Sequence, residues 1–286
     1  MLPRYAFGAW YSRYWPYSEI ELRDIINTFR QKKIPLDVLV IDVDWHLYGW
    51  ESYDWNPQYF PRPEEFINWC HRQGIKVTLN THPGTPIPAQ DSHFKDFCEA
   101  LGENPEGRQS VGYNLANKRD AEAFGKVLLC SVLRQGVDFL WIDGAGASAP
   151  GIDHFAWTNK VYYETEQNFK KMRALIFGRQ GLVGSGTHRY PVGFSGDTYS
   201  QWEVLRYEVP FTVKGGNVGI YWSHDIGGFM GDKIPDELYV RWVQFGAFSP
   251  ILRLHSNHGR RLPWDYSPEA EEIAKKYFQI RYSLFP

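Results

Sequence analysis

The chain has 286 residues but few cysteines, namely Cys70, Cys98 and Cys130. Their number is odd, they are far apart, and each lies in a segment with helical periodicity. Disulfide frameworks and zinc sites use paired or closely spaced cysteines. The sequence therefore predicts reduced thiols within a hydrophobic core and gives no indication of a disulfide scaffold or a zinc site.

The chain also lacks a strong charge of either sign and a long apolar run. Lys and Arg number 31 against 33 Asp and Glu, a net charge of −2, so there is no electrostatic basis for binding nucleic acid or an anionic membrane surface. No apolar run approaches the roughly 20 residues of a membrane span, and the N-terminus has no apolar signal region. We therefore expect no nucleic-acid or membrane partner, a neutral small-molecule ligand and a cytoplasmic location.

Aromatic residues, in contrast, are abundant at 17% of the chain. Most of them are expected to pack in the core. The remainder are suited to carbohydrate, because Trp and Tyr offer an apolar ring face together with a polar group.

Apolar segments of strand length alternate with helical patterns along the chain, without a repeat or a linker-like stretch. The predicted strands occupy residues 6–11, 36–42, 75–81, 137–142, 174–177, 190–195, 218–222 and 251–255. Eight strands that alternate with helices predict a single (β/α)₈ TIM barrel over residues 1–286, with a doubly wound sheet as the alternative. The Pro- and Gly-rich residues 83–112 are predicted to be an insertion after the third strand, of a size that is usually functional.

Two pairs of residues have the spacing of a helix capping box. Ser18 with Glu21 predicts the start of the first helix, and Ser200 with Glu203 predicts the start of a helix after the sixth strand.

Polar residues stand at the carboxyl ends of seven predicted strands. They are Asp42, His82, Asp143, Arg179, Asp197, Asp225 and His255. In a parallel barrel these ends meet at one mouth, where active sites lie. A single such residue would be an ordinary turn cap, but seven together predict a functional site.

Asp143 follows the most apolar strand and precedes a run of small residues. Gly144, Gly146 and Ala149 fit the spacing of a dinucleotide-binding fingerprint, which must open a helix. Pro150-Gly151 follows at once, which disfavours the helix that the fingerprint needs, so a strand-terminal catalytic acid is the better interpretation.

From the residues alone, three kinds of function stay open for such a mouth. Glycoside hydrolysis needs two carboxyl groups on either side of the scissile bond. A metal-dependent hydrolase would use His and Asp ligands, although the candidate histidines are scattered in the sequence, at His82, His188, His224 and His255. A barrel that binds sugar with little turnover is the third possibility.

Five segments together resemble glycoside hydrolase family 31, in the same order and across nearly the whole chain. They are 41–46 (Ile-Asp-Val-Asp-Trp-His), 141–143 (Trp-Ile-Asp), 190–198 (Tyr-Pro-Val-Gly-Phe-Ser-Gly-Asp-Thr), 222–228 (Trp-Ser-His-Asp-Ile-Gly-Gly) and 253–256 (Arg-Leu-His-Ser). Each segment alone is a weak signal, whereas the ordered set is specific.

The resemblance implies a retaining alpha-glycosidase that hydrolyses terminal alpha-linked sugars through a covalent glycosyl-enzyme, without a metal or an organic cofactor. It implies that Asp143 is the nucleophile and Asp197 the general acid/base. The remaining site residues implied by the match are Asp42, Arg179, Asp225 and His255 as ligands of the sugar hydroxyls, Trp45 and Trp141 as walls of the pocket, and Arg253 as a support for His255.

The sequence departs from that family in two ways. The 286 residues are expected to form the barrel alone, without the beta domains that relatives usually carry before and after it, and residues 144–147 after Asp143 are small where similar relatives have bulky polar ones. An alternative expectation is therefore a trimmed or redesigned barrel that binds sugar but turns it over poorly. Surfaces that such domains would cover are expected to promote self-association.

Overall fold

The structure is a computed structural model that describes residues 2–179, 189–190, 192–216 and 221–284. Its central element is a closed barrel of parallel strands in which neighbours in sequence are neighbours in space. The strands are β1 (Ala9–Tyr11), β2 (Val38–Ile41), β3 (Lys76–Thr81), β4 (Phe139–Ile142), β5 (Ile176–Arg179), β6 (Val192–Phe194), β7 (Tyr221–Ile226) and β8 (Ile251–Leu254). β8 pairs with β1 and closes the ring. The predicted (β/α)₈ barrel is confirmed.

Alternation along each strand divides the core into two parts. In β4, Phe139 and Trp141 belong to one buried cluster with Trp10 and Phe177. Leu140 and Ile142, on the opposite face of β4, belong to a second cluster that includes side chains of the helices. Because side chains of a strand alternate between its two faces, the first cluster fills the barrel and the second joins the barrel to its helices. This alternation decides which strand-end residues face the mouth.

Helices cover the outside of the barrel. They are α1 (Glu19–Gln31), α2 (Pro63–Arg72), α3 (Phe94–Leu101), α4 (Lys118–Ala123), α5 (Cys130–Arg134), α6 (His154–Lys170), α7 (Trp202–Phe211), α8 (Asp236–Phe248) and α9 (Pro268–Ser283). A π-helical turn, Phe124–Leu129, joins α4 to α5. None of the described helices combines the length and the hydropathy that a membrane crossing requires.

The two predicted capping boxes have different outcomes. Ser18 and Glu21 form both hydrogen bonds of the box at the start of α1. The prediction for Ser200 is wrong, because α7 starts after Gln201 without a side-chain cap. The Ser200 hydroxyl instead donates to the Met230 carbonyl at 2.7 Å, so a tertiary contact replaces the local one.

Residues 83–112, the predicted insertion, contain α3 and a two-stranded antiparallel ribbon of Ile87–Pro88 with Ser110–Val111. Buried Asp91 fixes this segment to the loop after β2 by accepting a hydrogen bond from the Tyr53 amide at 2.5 Å. The segment also lies against the loop after β4, where a Cβ on Gly146 would come within 3.0 Å of Pro83 Cβ and within 2.8 Å of Leu115, which follows the segment. This close approach gives a physical reason for the small residues after Asp143.

Candidate active site

Side chains alternate between the two faces of each strand, and this alternation places polar residues beyond the strand ends on the face that leads to the barrel mouth. Val38 and Val40 of β2 lie in the interior cluster, so Asp42 continues the same face. By the same rule Asp143 follows Trp141, and Arg179 follows Phe177. In β8, Ile251 is interior, which places Arg253 and His255 on that face.

Asp143 lies just beyond β4 and is well shielded, with 11% of its side chain exposed. One carboxylate oxygen accepts a hydrogen bond from Arg179 Nε at 2.6 Å. The other accepts from Asn80 Nδ2 at 3.2 Å and lies 3.5 Å from His82 Nε2. The carboxylate therefore has hydrogen-bond donors on both of its oxygens.

Arg179 connects the two predicted catalytic acids. Its Nη2 lies 3.7 Å from Asp197 Oδ1, while its Nε contacts Asp143. The Asp197 side chain is 44% exposed, more than that of Asp143. Burial raises the pKa of Asp197 above its usual value, and the negative charge of Asp143 adds to that effect while Arg179 opposes it. One guanidinium thus contacts two carboxylates with different environments.

Asp42 is almost fully buried at the mouth. Burial raises the pKa of Asp42 to about 8, although the Val43 amide donates a hydrogen bond to its carboxylate at 2.8 Å. His255 Nε2 lies 3.7 Å from Asp42 Oδ2. Burial, together with the charge of Arg253, lowers the pKa of His255 well below its usual value, so the imidazole is neutral and can donate or accept a hydrogen bond.

Asp225 and Arg253 form a buried ion pair across β7 and β8. Burial raises the pKa of Asp225 to about 7, against the opposing charge of Arg253. The guanidinium of Arg253 lies 5.0 Å from the Trp141 ring centroid and 4.9 Å from that of Phe177. Asp225 was expected beyond the end of a strand, whereas it lies within β7 on its interior face.

The two predicted wall residues, Trp45 and Trp141, are both buried. Trp45 donates from Nε1 to the Asn80 carbonyl at 2.9 Å. Trp141 packs edge-on against His255 with ring centroids 5.3 Å apart. Trp141 thus contacts a polar residue of the mouth directly, whereas Trp45 contacts the backbone of one, Asn80.

The structure adds residues that sequence reasoning did not assign to the site. Asn80 contacts Asp143, and His82, noted only as a strand-end residue, lies beside the same oxygen. The His82 ring stacks on exposed Trp50 with centroids 4.7 Å apart. The interior facing of Asn80 and His82 could have been read from the sequence, because both alternate with Val77 and Leu79 and share the interior face of β3 with Thr78.

A cluster with metal-ligand atoms occurs in the described part of the chain, away from these contacts. Asp54, Asp91 and His93 bring their ligand atoms within 4.8 Å of one another. Their oxygens are already occupied, since Asp91 accepts from the amide of His93 at 2.8 Å and Asp54 accepts from that of Ser92 at 2.8 Å. The cluster is therefore explained by hydrogen bonding between loops.

The dinucleotide-binding interpretation of Gly144, Gly146 and Ala149 is wrong. No helix opens at these residues, because α6 begins only at His154, after the Asp153 cap.

Comparison with known proteins identifies the family. The family profile described as "Glycosyl hydrolases family 31 TIM-barrel domain" matches residues 1–286. An alpha-xylosidase of Saccharolobus solfataricus is 29% identical over 321 residues, covering 100% of this chain and 42% of the relative. Alpha-glucosidase 2 of Bacillus thermoamyloliquefaciens is 28% identical over 326 residues, covering 99% of this chain and 40% of the relative.

Solved structures agree with this result. A GH31 dextranase from Flavobacterium johnsoniae, solved with glucose, has a TM-score of 0.84 and 27% identity, and the match covers 100% of this chain and 40% of the dextranase chain. The chain thus spans about two fifths of the length of these relatives. It belongs to glycosyl hydrolases family 31 and has the fold of the family's TIM-barrel domain.

Proposed function

We propose that this chain is the catalytic barrel of a retaining alpha-glycosidase that acts on terminal alpha-linked sugars. Asp143 is the nucleophile and Asp197 is the general acid/base. The observation that carries the proposal is the position of Arg179, which contacts both carboxylates from the end of β5. Retaining enzymes need two carboxyl groups about 5 to 5.5 Å apart, and a shared guanidinium supports a separation of that order.

The roles follow from the surroundings of each carboxylate. Asp143 is shielded from solvent, and the donors on its two oxygens hold the carboxylate in one position, which suits a nucleophile. Asp197 has a raised pKa, as a group that must donate a proton requires. In the first step Asp143 forms a bond to the anomeric carbon while Asp197 protonates the departing oxygen. In the second step Asp197 takes a proton from water, which displaces Asp143 and releases the sugar.

The other mouth residues are proposed to bind the sugar. The buried carboxyl groups of Asp42 and Asp225 offer acceptor oxygens to sugar hydroxyl groups, and the neutral imidazole of His255 can donate or accept a hydrogen bond. Arg253 holds Asp225 and lies against Trp141. The relatives are named alpha-xylosidase and alpha-glucosidase, which supports a terminal alpha-linked sugar as the substrate class.

One contact favours a second candidate function, sugar binding without efficient turnover. Arg179 Nε occupies the Asp143 oxygen at 2.6 Å, and Asn80 donates to the other oxygen. A nucleophile must expose one oxygen to the anomeric carbon, so turnover requires that Arg179 or Asn80 yields to the substrate.

The deciding experiment is an assay with a panel of 4-nitrophenyl alpha-glycosides, with and without EDTA, followed by NMR of the first-formed anomer. We expect EDTA-insensitive hydrolysis that yields the alpha anomer. A beta anomer would exclude retention, and loss of activity in EDTA would indicate a metal hydrolase. Sugar binding in calorimetry without turnover would favour the second candidate.

A further inference from the structure

Arg261, in the loop after β8, is a fully buried arginine that lies between three loops of the barrel mouth. Its Nη2 donates to Ser200 Oγ at 2.7 Å, in the loop after β6. Further hydrogen bonds reach carbonyl oxygens of the loop after β7, from Nε to Gly228 at 3.3 Å, from Nη1 to Asp232 at 2.5 Å and from Nη2 to Gly231 at 3.0 Å. One guanidinium thus joins the loops that follow β6, β7 and β8.

The backbone of Arg261 is strained, and its surroundings hold it in place. Its φ is 54°, in the left-handed region that residues with a side chain rarely adopt. Tyr239 of α8 fixes this backbone by donating its hydroxyl to the Arg261 carbonyl at 3.0 Å. A Cβ on Gly227 would come within 2.6 Å of Arg261 Cδ, so the loop after β7 is shaped around the arginine. Strain of this kind is concentrated at functional sites, which makes Arg261 a candidate for a role in the mouth.

The loop after β6 carries Asp197, and the same network attaches its backbone to the loop after β7. The Thr198 carbonyl accepts hydrogen bonds from the amides of Phe229 and Met230, both at 2.9 Å. The Met230 carbonyl in turn accepts from the Ser200 amide at 3.1 Å and from the Ser200 hydroxyl at 2.7 Å. Because a hydroxyl has a single proton, the Ser200 oxygen is left to accept from the guanidinium. The arginine therefore completes the attachment of the residues just after Asp197.

The carboxylate of Asp197 is held less tightly by side-chain contacts than that of Asp143. Arg179 Nη2 lies 3.7 Å from Asp197 Oδ1, too far for a hydrogen bond, whereas Arg179 Nε donates to Asp143 at 2.6 Å. A general acid must lie within hydrogen-bond reach of the oxygen that it protonates. The position of Asp197 therefore depends on the backbone that carries it.

We infer that Arg261 is a positioning residue for the general acid/base, and that it acts on Asp197 through Ser200 and the loop after β7. The inference rests on the proposed function, in which Asp197 is that group. Lysine cannot take over this role, because its ammonium keeps the charge but lacks the planar fork of donors that reaches acceptors in several directions. A displacement of about 1 Å at a reacting group can lower the rate about 100-fold.

The test uses two variants of the network, Arg261→Lys and Ser200→Ala. Asp197→Ala serves as the benchmark for complete loss of the acid. Arg281→Lys is the matched control, because Arg281 is also buried and donates to three carbonyls, but it joins segments that precede β1 and β8, at the end of the barrel opposite the mouth. Thermal melting of each variant measures the structural cost separately from the kinetics.

The substrates are aryl alpha-glucosides and alpha-xylosides in a series from 2,4-dinitrophenyl to phenyl. Phenol needs protonation to depart and 2,4-dinitrophenol does not, and kcat/KM reports the steps up to the glycosyl-enzyme. Arg261→Lys should lower kcat/KM for the phenyl glycoside about 100-fold, and Ser200→Ala should lower it about tenfold, the value of one hydrogen bond. Both should match the wild type on the 2,4-dinitrophenyl glycoside. Arg281→Lys should lower the melting temperature and leave the dependence on the leaving group unchanged.

Equal losses on every leaving group would show a merely structural role and overturn the inference, as would wild-type kinetics in both network variants. If Arg261→Lys does not fold, Ser200→Ala decides alone. The benchmark separates the inference from the proposed function. A steep dependence on the leaving group in Asp197→Ala without one in the network variants would overturn the inference only, whereas its absence in Asp197→Ala would overturn both.

Discussion

Individual carboxylates at the barrel mouth are held away from water, and this has a cost in stability. Asp42 and Asp225 are nearly inaccessible to solvent, and burial raises their pKa values to about 8 and about 7. A buried carboxyl group that must ionise destabilises the folded state unless donors compensate it. These residues therefore indicate a site in which stability is reduced in favour of binding.

Replacing Asp42 with Asn should stabilise the protein, increasingly so at higher pH. In the unfolded chain an Asp side chain loses its proton near pH 3.9, whereas in the folded protein Asp42 keeps it until about pH 8. Folding therefore takes up a proton between these values, and wild-type stability falls as pH rises. Thermal melting should show an Asp42→Asn advantage that is small near pH 4, grows through pH 8 and is constant above it.

The matched control is Asp24→Asn at an exposed position on α1, which should show no such growth. A constant difference between wild type and Asp42→Asn over the same range would contradict the account. The same variant should reduce kcat/KM above about pH 8, where Asp42 is ionised and an amide cannot replace its carboxylate as an acceptor for sugar hydroxyls.

The alternation of side chains along each strand made many residues of the barrel mouth predictable from the sequence. Asp42 and Asp143 end apolar runs whose alternation gives the facing of their side chains. The interior facing of Asn80 was likewise given by the alternation of β3, but its contact with Asp143 was not, because that contact joins two different strands. That Tyr207 and Trp222 line one pocket could not be predicted, since the two residues are brought together only by the packing of α7 against β7.

At the scale of elements, local signals succeeded where no tertiary contact competed with them. Ser18 caps α1 as predicted, whereas Ser200 is drawn to Met230 and is also contacted by Arg261 Nη2 at 2.7 Å. The C-terminal end of β7 was predicted too early, at residue 222. The apolar run stops there, whereas pairing with β8 extends the strand to Ile226. Pairing partners lie far away in sequence, so local patterns do not contain them.

Residues 83–112 contain a pH-dependent pair, Asp91 with His93, and Asp91 also joins the segment to Tyr53 in the loop after β2. Burial alone would raise the pKa of Asp91, but hydrogen bonds from His93 and Tyr53 outweigh it and lower that pKa. The hydrogen bond to Asp91 raises the pKa of His93, against the effect of burial. The His93 contribution is complete below about pH 6.5 and is lost as pH rises through its folded pKa. The Asp91 contribution is present above about pH 3.9 and is lost in acid.

His93→Gln should therefore destabilise the protein by about 1 kcal/mol near pH 5.5, the value of a hydrogen bond to a charged group at a partly exposed site. The loss should be smaller at pH 8.5, where His93 is neutral in the wild type too. Thermal melting and hydrogen exchange of residues 83–112 measure both effects. His154→Gln, at an exposed histidine of α6, is the control. An equal loss at both pH values would refute the pairing.

On the scale of the whole molecule, the C-terminal helix completes the closure of the barrel. Arg281 of α9 is buried and donates to the carbonyls of Phe7, Ser249 and Pro250 at 2.8, 2.6 and 2.7 Å. These contacts join the segments that precede β1 and β8, the two strands whose pairing closes the ring. Closure of the barrel was predictable from the count of eight strands. The hydrogen bonds by which Arg281 joins the segments before β1 and β8 were not predictable.

Exposed apolar side chains predict self-association of the chain. In α7 and the turn after it, Trp202, Val209 and Val213 are 45%, 40% and 78% exposed, and apolar patches of this kind drive association. Light scattering should show a molecular mass that rises with concentration, and the double variant Val209→Lys, Val213→Lys should reduce the rise. Ile20→Lys on α1, at 67% exposure, is the control. A wild-type monomer at high concentration would contradict the prediction.

The central claim, that Asp143 and Asp197 act as nucleophile and acid/base, is tested most directly by azide rescue of two variants. With a 2,4-dinitrophenyl alpha-glycoside, whose leaving group departs without protonation, Asp197→Ala should show a burst and then stall as a glycosyl-enzyme on Asp143. Azide needs no deprotonation, so it should restore turnover and release an alpha-glycosyl azide.

Asp143→Ala has no nucleophile on the opposite face, so it should show no burst, and azide acting in its place should give the beta-glycosyl azide. Product NMR and mass spectrometry of the labelled aspartate distinguish the two outcomes. Opposite anomers in the two variants would reverse the assignment, and an unaffected rate in either variant would show that the catalytic pair lies elsewhere.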